Sequence, residues 1–296
     1  MIHTNNIKKN VILRHAFFAI ATLASMTSVQ CQESLSRTAK HLENHFSAVQ
    51  KTLEYHVMVN VQETLGNDPQ QVFFSMKASL APIVKLEQLS APKAVAYLDS
   101  EARVLGKANL VLRIRPGQLT VKVRAASLNN LIDLQPCNTR KNKYERDYFG
   151  EPGYSISAEH RFGKKEWLPE PTKATARETM AFMTKHCTEL AKQLSPFLKP
   201  MGTLAAPGTA QMYDAHASFT EQPPVKLNDP EFTLWAFPGT PAILAEISWK
   251  GDEKDKIALE QHYLRLMARL SAAGLLAKDQ SPKTEQYFTA YFGTKK

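Results

Sequence analysis

Apolar and polar positions alternate with period two over 108-ANLVLRIRPGQLTVKVRAAS-127. Leu110, Leu112 and Ile114, then Leu119, Val121 and Val123, take one face; Arg113 and Arg115, then Lys122 and Arg124, take the other. Successive strand side chains point to opposite sides, so this spacing predicts two strands. Pro116-Gly117-Gln118 between them reads as a hairpin turn. Other alternating runs are 55-YHVMVNVQ-62, 94-AVAYLDS-100, 154-YSISAEHRF-162, 209-TAQMYDAHASF-219, 231-EFTLWAF-237 and 242-AILAEISWKG-251. In the run 154–162, Ser157, Glu159 and Arg161 share a face.

Helical spacing appears elsewhere. Leu35, Ala39, Leu42, Phe46, Val49 and Leu53 recur three or four apart and predict an N-terminal helix over 32–53, packed on the body of the protein. Helices are also predicted from Thr172 to about Leu198 and over 253–275, where Gly274 supplies a stop. The segment after the 65-LGNDP-69 turn reads two ways. Asp68 can cap a helix with Pro69 at its first position, and Phe73, Met76, Leu80 and Ile83 then form its apolar face. Alternatively 71-QVFFSMKA-78 is a strand, the reading that Pro82 favours because it sits badly inside one long helix. Residues 128–150 read as irregular, with 139-TRKNKYERDYF-149 a basic loop. The sum is an α+β fold of about eight mostly antiparallel strands with helices between them. So many strands have a polar second face that the sheet is expected to be curved or closed around a channel.

The N-terminus reads as a processing signal. Lys8, Lys9 and Arg14 precede 15-HAFFAIATLASM-26, an apolar run of signal-peptide length that is too short to span a bilayer stably. Val29 and Cys31 sit at the offsets a leader peptidase uses, which puts the signal peptide at 1–31; a lipoprotein cut before Cys31 is the weaker reading because Gln30 suits it poorly. The mature chain, with a tunnel domain over 54–296, is then exported, periplasmic or secreted, in a bacterial cell. At 296 residues the chain has ample length for a real core. Its formal charge is +9, of which the leader's three basic residues account for three. The remaining +6 suits anionic ligands; nucleic acid is not favoured, because the cations are spread out and no reader motif is present. Of three cysteines, Cys137 and Cys187 either pair in an oxidising compartment or remain buried thiols. The pair 41-HLENH-45 puts two histidines on one helix face without a third ligand, which is a weak zinc signal.

Four cations held on adjacent strands repel one another unless solvent or a bound polyanion offsets them. The block 96-AYLDSEARVLGKANLVLRIRPGQLTVKVR-124 resembles the signature core of the CYTH domains, or triphosphate tunnel metalloenzymes. These show a Tyr-(Phe/Leu)-Asp-Thr-like strand end, an apolar lead into Arg-x-Arg, a turn and a Lys-centred strand. The order 245-AEISWKG-251, long helix, 281-SPKTEQY-287 is similar to the family's acidic strand, helix and Ser-Lys-x-x-Arg-Gly-Tyr-like element. The resemblance spans roughly 54–290. It implies an eight-stranded antiparallel tunnel whose basic residues hold a triphosphate or polyphosphate while glutamates hold Mg²⁺ or Mn²⁺. Carried onto this chain, it implies phosphate contacts from Lys77, Arg113, Arg115, Lys122, Arg124, Arg161, Lys250 and Lys283, and metal ligation by Glu246 and Glu159.

The departures fall on the metal half. For the family's Glu-x-Glu-x-Lys strand, 73-FFSMK-77 keeps Lys77 but has Phe73 and Ser75 where the glutamates belong; 55-YHVMVNV-61 offers His56, Met58 and Asn60. Ser248 stands where a second late-strand glutamate is expected. Glu285-Gln286-Tyr287 stands for Arg-Gly-Tyr. The expected function is therefore an exported tunnel protein that binds a phosphate-rich or other polyanionic ligand, with a largely degenerate metal site. The alternative is a metal-dependent phosphohydrolase acting on triphosphate, nucleotide or polyphosphate. A third reading makes the tunnel only a scaffold for a cell-envelope interaction.

Overall fold

A computed structural model describes residues 52–61, 68–100, 102–137, 142–149, 151–161, 176–198 and 208–293, together with Lys40, Leu42, Asn44 and Phe46. The predicted signal segment, Cys31, Trp167 and the 41/45 histidine pair lie outside the described residues. Along the chain the elements are β1 (Thr52–Val59), α1 (Pro69–Leu80), β2 (Val84–Leu86), β3 (Lys93–Leu98), α2 (Val104–Lys107), β4 (Leu110–Arg115), β5 (Gln118–Ala125), β6 (Lys143–Phe149) and β7 (Glu151–Arg161). They continue as α3 (Ala176–His186), α4 (Thr188–Leu198), β8 (Ala210–Phe219), β9 (Asn228–Ala236), β10 (Ile243–Asp252), α5 (Lys256–Ala272) and α6 (Lys283–Phe292).

Nine strands close a ring in the order β8-β3-β4-β5-β7-β6-β1-β10-β9, because β8 pairs with both β3 and β9. The ring pairs antiparallel except at β1–β6, where Leu53, Glu54 and Tyr55 run parallel to Arg146, Asp147 and Tyr148. β2 lies beyond β3 along the far end of β8 and pairs Val84 with Phe219. The ring thus holds one strand more than the eight expected. Closure removes the exposed edges that an open sheet of this size would leave.

Two apolar layers coat the outside of the ring. The outward residues of β4, β5 and β7 pack with α3 and α4, and Leu42 and Phe46 are buried in the same cluster; Thr52 and Leu53, which the sequence reading placed at the end of the N-terminal helix, belong to β1. The outward residues of β1, β8, β9 and β10 pack with α1 and α5. Gly251 of β10 allows α5 to approach: a Cβ there would meet Leu259 Cδ1 at 2.4 Å. α5 ends at Gly274, whose φ of +70° only glycine adopts without strain.

Three segments differ from the sequence reading. Residues 69–80 form a helix, not a strand: the Asp68 side chain accepts from Gln70 N at 3.0 Å, Pro69 opens the first turn, and the helix ends before Pro82. Residues 143–149 form strand β6, not a loop; the Lys/Arg richness masks a period-two pattern in which Glu145 and Asp147 face inward to Lys122 while Tyr148 packs outward. The helix expected over 172–198 is two helices that break at Cys187. Cys137 and Cys187 form a disulfide with Cα atoms 4.4 Å apart, tying the irregular 131–137 segment to that break.

A third apolar cluster lies inside the ring, at one end. Val95, Tyr97, Met212 and Trp235 face inward there and pack on Tyr287 and Phe288 of α6. The Tyr97 and Tyr287 rings meet edge to face at 4.9 Å. α6 therefore plugs one end of the barrel, and what remains is a cavity of about 450 Å³.

Candidate functional site

The polar faces of the alternating strands line this cavity. Nine Lys or Arg side chains and five Asp or Glu side chains contribute to its wall among the described residues. The strand register explains the pattern of the 108–127 run. Arg113 pairs with Thr120 and Arg115 with Gln118, so both arginines of β4 face the same interior as Lys122 and Arg124 of β5. Leu112, Ile114, Leu119, Val121 and Val123 take the outer, buried face.

Opposite neighbours split the four cations into two classes. Lys122 Nζ lies 3.1 Å from Glu145 Oε2 and 2.9 Å from Asp147 Oδ2. Arg124 Nε is 3.7 Å from the same Asp147 oxygen, which also accepts from Ser155 Oγ at 3.1 Å. Lys143 reaches Glu145 at 2.5 Å. Burial works against charge on Lys122, but the Asp147 and Glu145 carboxylates outweigh it and raise the ammonium above its ordinary range. Burial likewise favours neutral Glu145 and Asp147, and the Lys122 charge beside them overcomes it and lowers both.

Arg113 and Arg115 have no such partners. Arg113 donates to Thr120 Oγ1 at 3.3 Å, and Arg115 approaches Met212 Sδ at 3.8 Å. Neither has a carboxylate within 4 Å among the described residues, and the Nε of each is buried without an acceptor. Burial, then the neighbouring Arg113 charge, push the Arg115 guanidinium down to about 10. Tyr97, opposite Arg113 on β3, is 3 % exposed. Burial raises its hydroxyl, but the charges of Arg113, Lys283, Arg115 and Arg124 prevail and lower it. Two part-buried guanidinium groups with no carboxylate in direct contact are costly unless an anion joins them.

The other candidates fall in different places. Lys283, at the start of α6, reaches into the barrel and bonds Glu246 Oε1 at 2.7 Å; His56 Nδ1 lies 3.2 Å from the same oxygen. Glu246 is fully buried, yet Lys283 and then His56 overcome that burial and hold it down at about 2. Lys250 lines the cavity 3.9 Å from Glu54. Arg161 is exposed at its rim, and Glu159, two residues before, contributes a part-buried carboxylate. Lys77 is not in the barrel: it lies on α1, where its Nζ donates to the Glu87 carbonyl at 3.2 Å. The helix that Asp68 and Pro69 start carries it outside.

Of the two stretches compared with the Glu-x-Glu-x-Lys motif, 55–61 lies in β1, whose Glu54 and His56 face in, and 73–77 lies in α1, outside the barrel. Sequence reasoning missed Glu54, Glu145, Asp214 and Glu231, which line the wall, and Asp147, which holds Lys122 from behind it. The period-two spacing within 143-KYERDYF-149 is the signal that points to two of them.

The residues do not fit a magnesium or manganese ion held as the resemblance implies. Among the described residues, the donors within 4.8 Å of one another in the cavity are Glu54, His56 and Asp147; Glu246 and Glu159 are not brought together. Asp147 already receives Lys122, and Glu246 already receives Lys283. A hard dication needs carboxylate oxygens that ammonium groups have not taken.

No family model matches the chain, and no curated protein matches it. Similar solved structures include a candidate adenylyl cyclase from Hippeastrum in which a triphosphatase activity is dominant (12% identity, 80% of this chain and 95% of that one, TM-score 0.40). They also include candidate adenylate cyclases from Vibrio parahaemolyticus (13% identity, 81% and 100% covered, TM-score 0.35) and Bacillus halodurans (12% identity, 81% and 100% covered, TM-score 0.37).

Proposed function

We propose that this protein is an exported barrel that captures a phosphate-rich or other polyanionic ligand in its plugged cavity, and that the metal half of the ancestral site has been replaced by internal ion pairs. One observation carries the reading: Arg113 and Arg115 face the cavity without a carboxylate partner among the described residues, while the neighbouring cations are neutralised. Arginine's planar fork suits phosphate oxygens, and charge-assisted bonds in a part-dry cavity are strong. Lys283, Lys250, Arg124 and Arg161 stand around the same cavity to hold further oxygens. Export is supported by the leader-like 1–31 segment and by the Cys137–Cys187 disulfide, a bond that persists in oxidising compartments.

Calorimetric titration with inorganic tripolyphosphate, with and without Mg²⁺ or Mn²⁺, tests this, with phosphate release followed in the same samples. Metal-independent binding without release is expected. Metal-dependent release would establish the phosphohydrolase instead, and absence of binding would leave the barrel as an interaction scaffold. Fractionation of cells expressing the full chain tests export; recovery of the intact chain in the cytoplasm would overturn it.

A further inference from the structure

We propose that the protein carries a second site, outside the barrel, which binds a zinc-class divalent cation when the Cys137–Cys187 disulfide is reduced. The two Sγ atoms and a ring nitrogen of His160 all lie within 4.8 Å of one another, and all three side chains are buried. His186 adjoins them: its ring centre is 5.2 Å from that of His160, and its carbonyl oxygen is 3.4 Å from Cys137 Sγ. Two sulfurs and the His160 imidazole, from three separate segments, thus converge on one point: β7, the α3–α4 break and the irregular 131–137 stretch.

Chemistry selects the ion. Zinc takes mixed cysteine and histidine ligands tetrahedrally, with Zn–S about 2.3 Å and Zn–N about 2.0 Å, and a water or the adjoining His186 would complete the three donors present here. Those bonds place ligand atoms roughly 3.3–3.8 Å apart, inside the spread seen here once the sulfurs part. The 131–137 segment is neither strand nor helix, so it can give the small displacement required. Charge agrees as well. Two thiolates and one dication sum to zero, and a neutral centre suits an apolar layer, where a net charge would not. The cavity cluster of Glu54, His56 and Asp147 lacks this property, because Lys122 and Arg124 already stand beside it.

A dithiol or phosphine reductant supplies two electrons, and two protons from solvent complete the two thiols; the cation then displaces those two protons as thiolates form. The oxidised chain has no thiolate there and takes no ion. The contact of 131–137 with the α3–α4 break is then held in both states, covalently when oxidised and by coordination when reduced.

The test uses the full chain, reduced with a phosphine without oxygen and titrated with Co²⁺. A thiolate-to-cobalt charge-transfer band with tetrahedral d–d bands is expected, saturating at one ion per chain and bleached by Zn²⁺. The oxidised chain and the Cys137→Ser/Cys187→Ser variant should show neither. His160→Ala and His160→Gln should each weaken binding by about an order of magnitude or more. A reduced chain without the band would overturn the proposal, and so would equal cobalt affinity with and without His160, which is what thiols in an unfolded chain would give. Neither result bears on anion capture in the barrel.

Discussion

Arg115 and Lys122 lie on paired strands, but their surroundings predict opposite responses to removal. Lys122 is bound to two carboxylates, so Lys122→Met leaves Asp147 buried without its closest cation, the Arg124 guanidinium being 3.7 Å away. Breaking one side of a buried pair costs about 3–5 kcal/mol. Arg115 has no carboxylate within 4 Å among the described residues, so Arg113→Ala with Arg115→Ala should leave thermal stability unchanged or raise it while abolishing tripolyphosphate binding. Melting curves and calorimetry on both variants check this, and retained affinity in the arginine double variant would sink the ligand reading. At this scale the sequence was informative for cations and poor for acids. Arg113, Arg115, Lys122 and Arg124 stood out because each alternates with apolar residues on a clean strand. Glu145 and Asp147 did not, because the residues around them are basic and aromatic and give no apolar stripe. Which cation meets which acid depends on the β5–β7–β6 register, and no local pattern encodes that.

Among the elements, strands with one apolar face were legible, and elements whose type depends on a cap or on burial of both faces were harder to read. α1 was decided by Asp68 and Pro69, against the later signal of Pro82. α6 was visible only as a tail, yet it does the most to shape the site. It buries Tyr287 and Phe288 in the barrel end and delivers Lys283 to Glu246. Arg103 holds its outer side: the guanidinium contacts both Glu285 oxygens at 2.9 Å, bonds Asp99 at 3.2 Å and stacks 4.0 Å over Phe288. Asp99 in turn accepts from Leu105 N and Gly106 N, which fixes the turn that presents Arg103. Arg103→Ala should therefore speed amide exchange across 283–292 while β4 and β5 stay protected. Tyr287→Ala, which empties the plug, should cost about 3–5 kcal/mol. Exchange that rises equally in every element would mean the plug is not a separate unit.

For the whole molecule, ring closure is the least legible feature, since it joins β1 to β10 and β3 to β8 across long separations and sets β1 parallel to β6. Closure also sets how stability should depend on pH, because it buries ionisable groups in two different environments. His262 on α5 is 4 % exposed between Phe219 and Trp249; burial, then the Arg265 charge, lower its imidazole to about 4. The unfolded chain takes up that proton near 6.5 and the folded chain does not. Stability from this residue is thus complete above about pH 6.5 and declines as pH falls to about 4, by about 3 kcal/mol in all. Glu246 acts lower on the scale. Its folded value is lowered to about 2, so its contribution is present above the unfolded value near 4.5 and is lost as pH falls from there. Lys122 is raised, so its share holds up to the unfolded value near 10.5 and is lost only above it. Melting temperature should accordingly be flat from about pH 7 to 10 and fall in two acid stages. His262→Gln should remove the first stage and leave the second; Glu246→Gln should remove part of the second and lower stability at neutral pH, where Lys283 loses its counter-charge. A single acid transition unchanged by His262→Gln would show that the buried imidazole does not set the first stage.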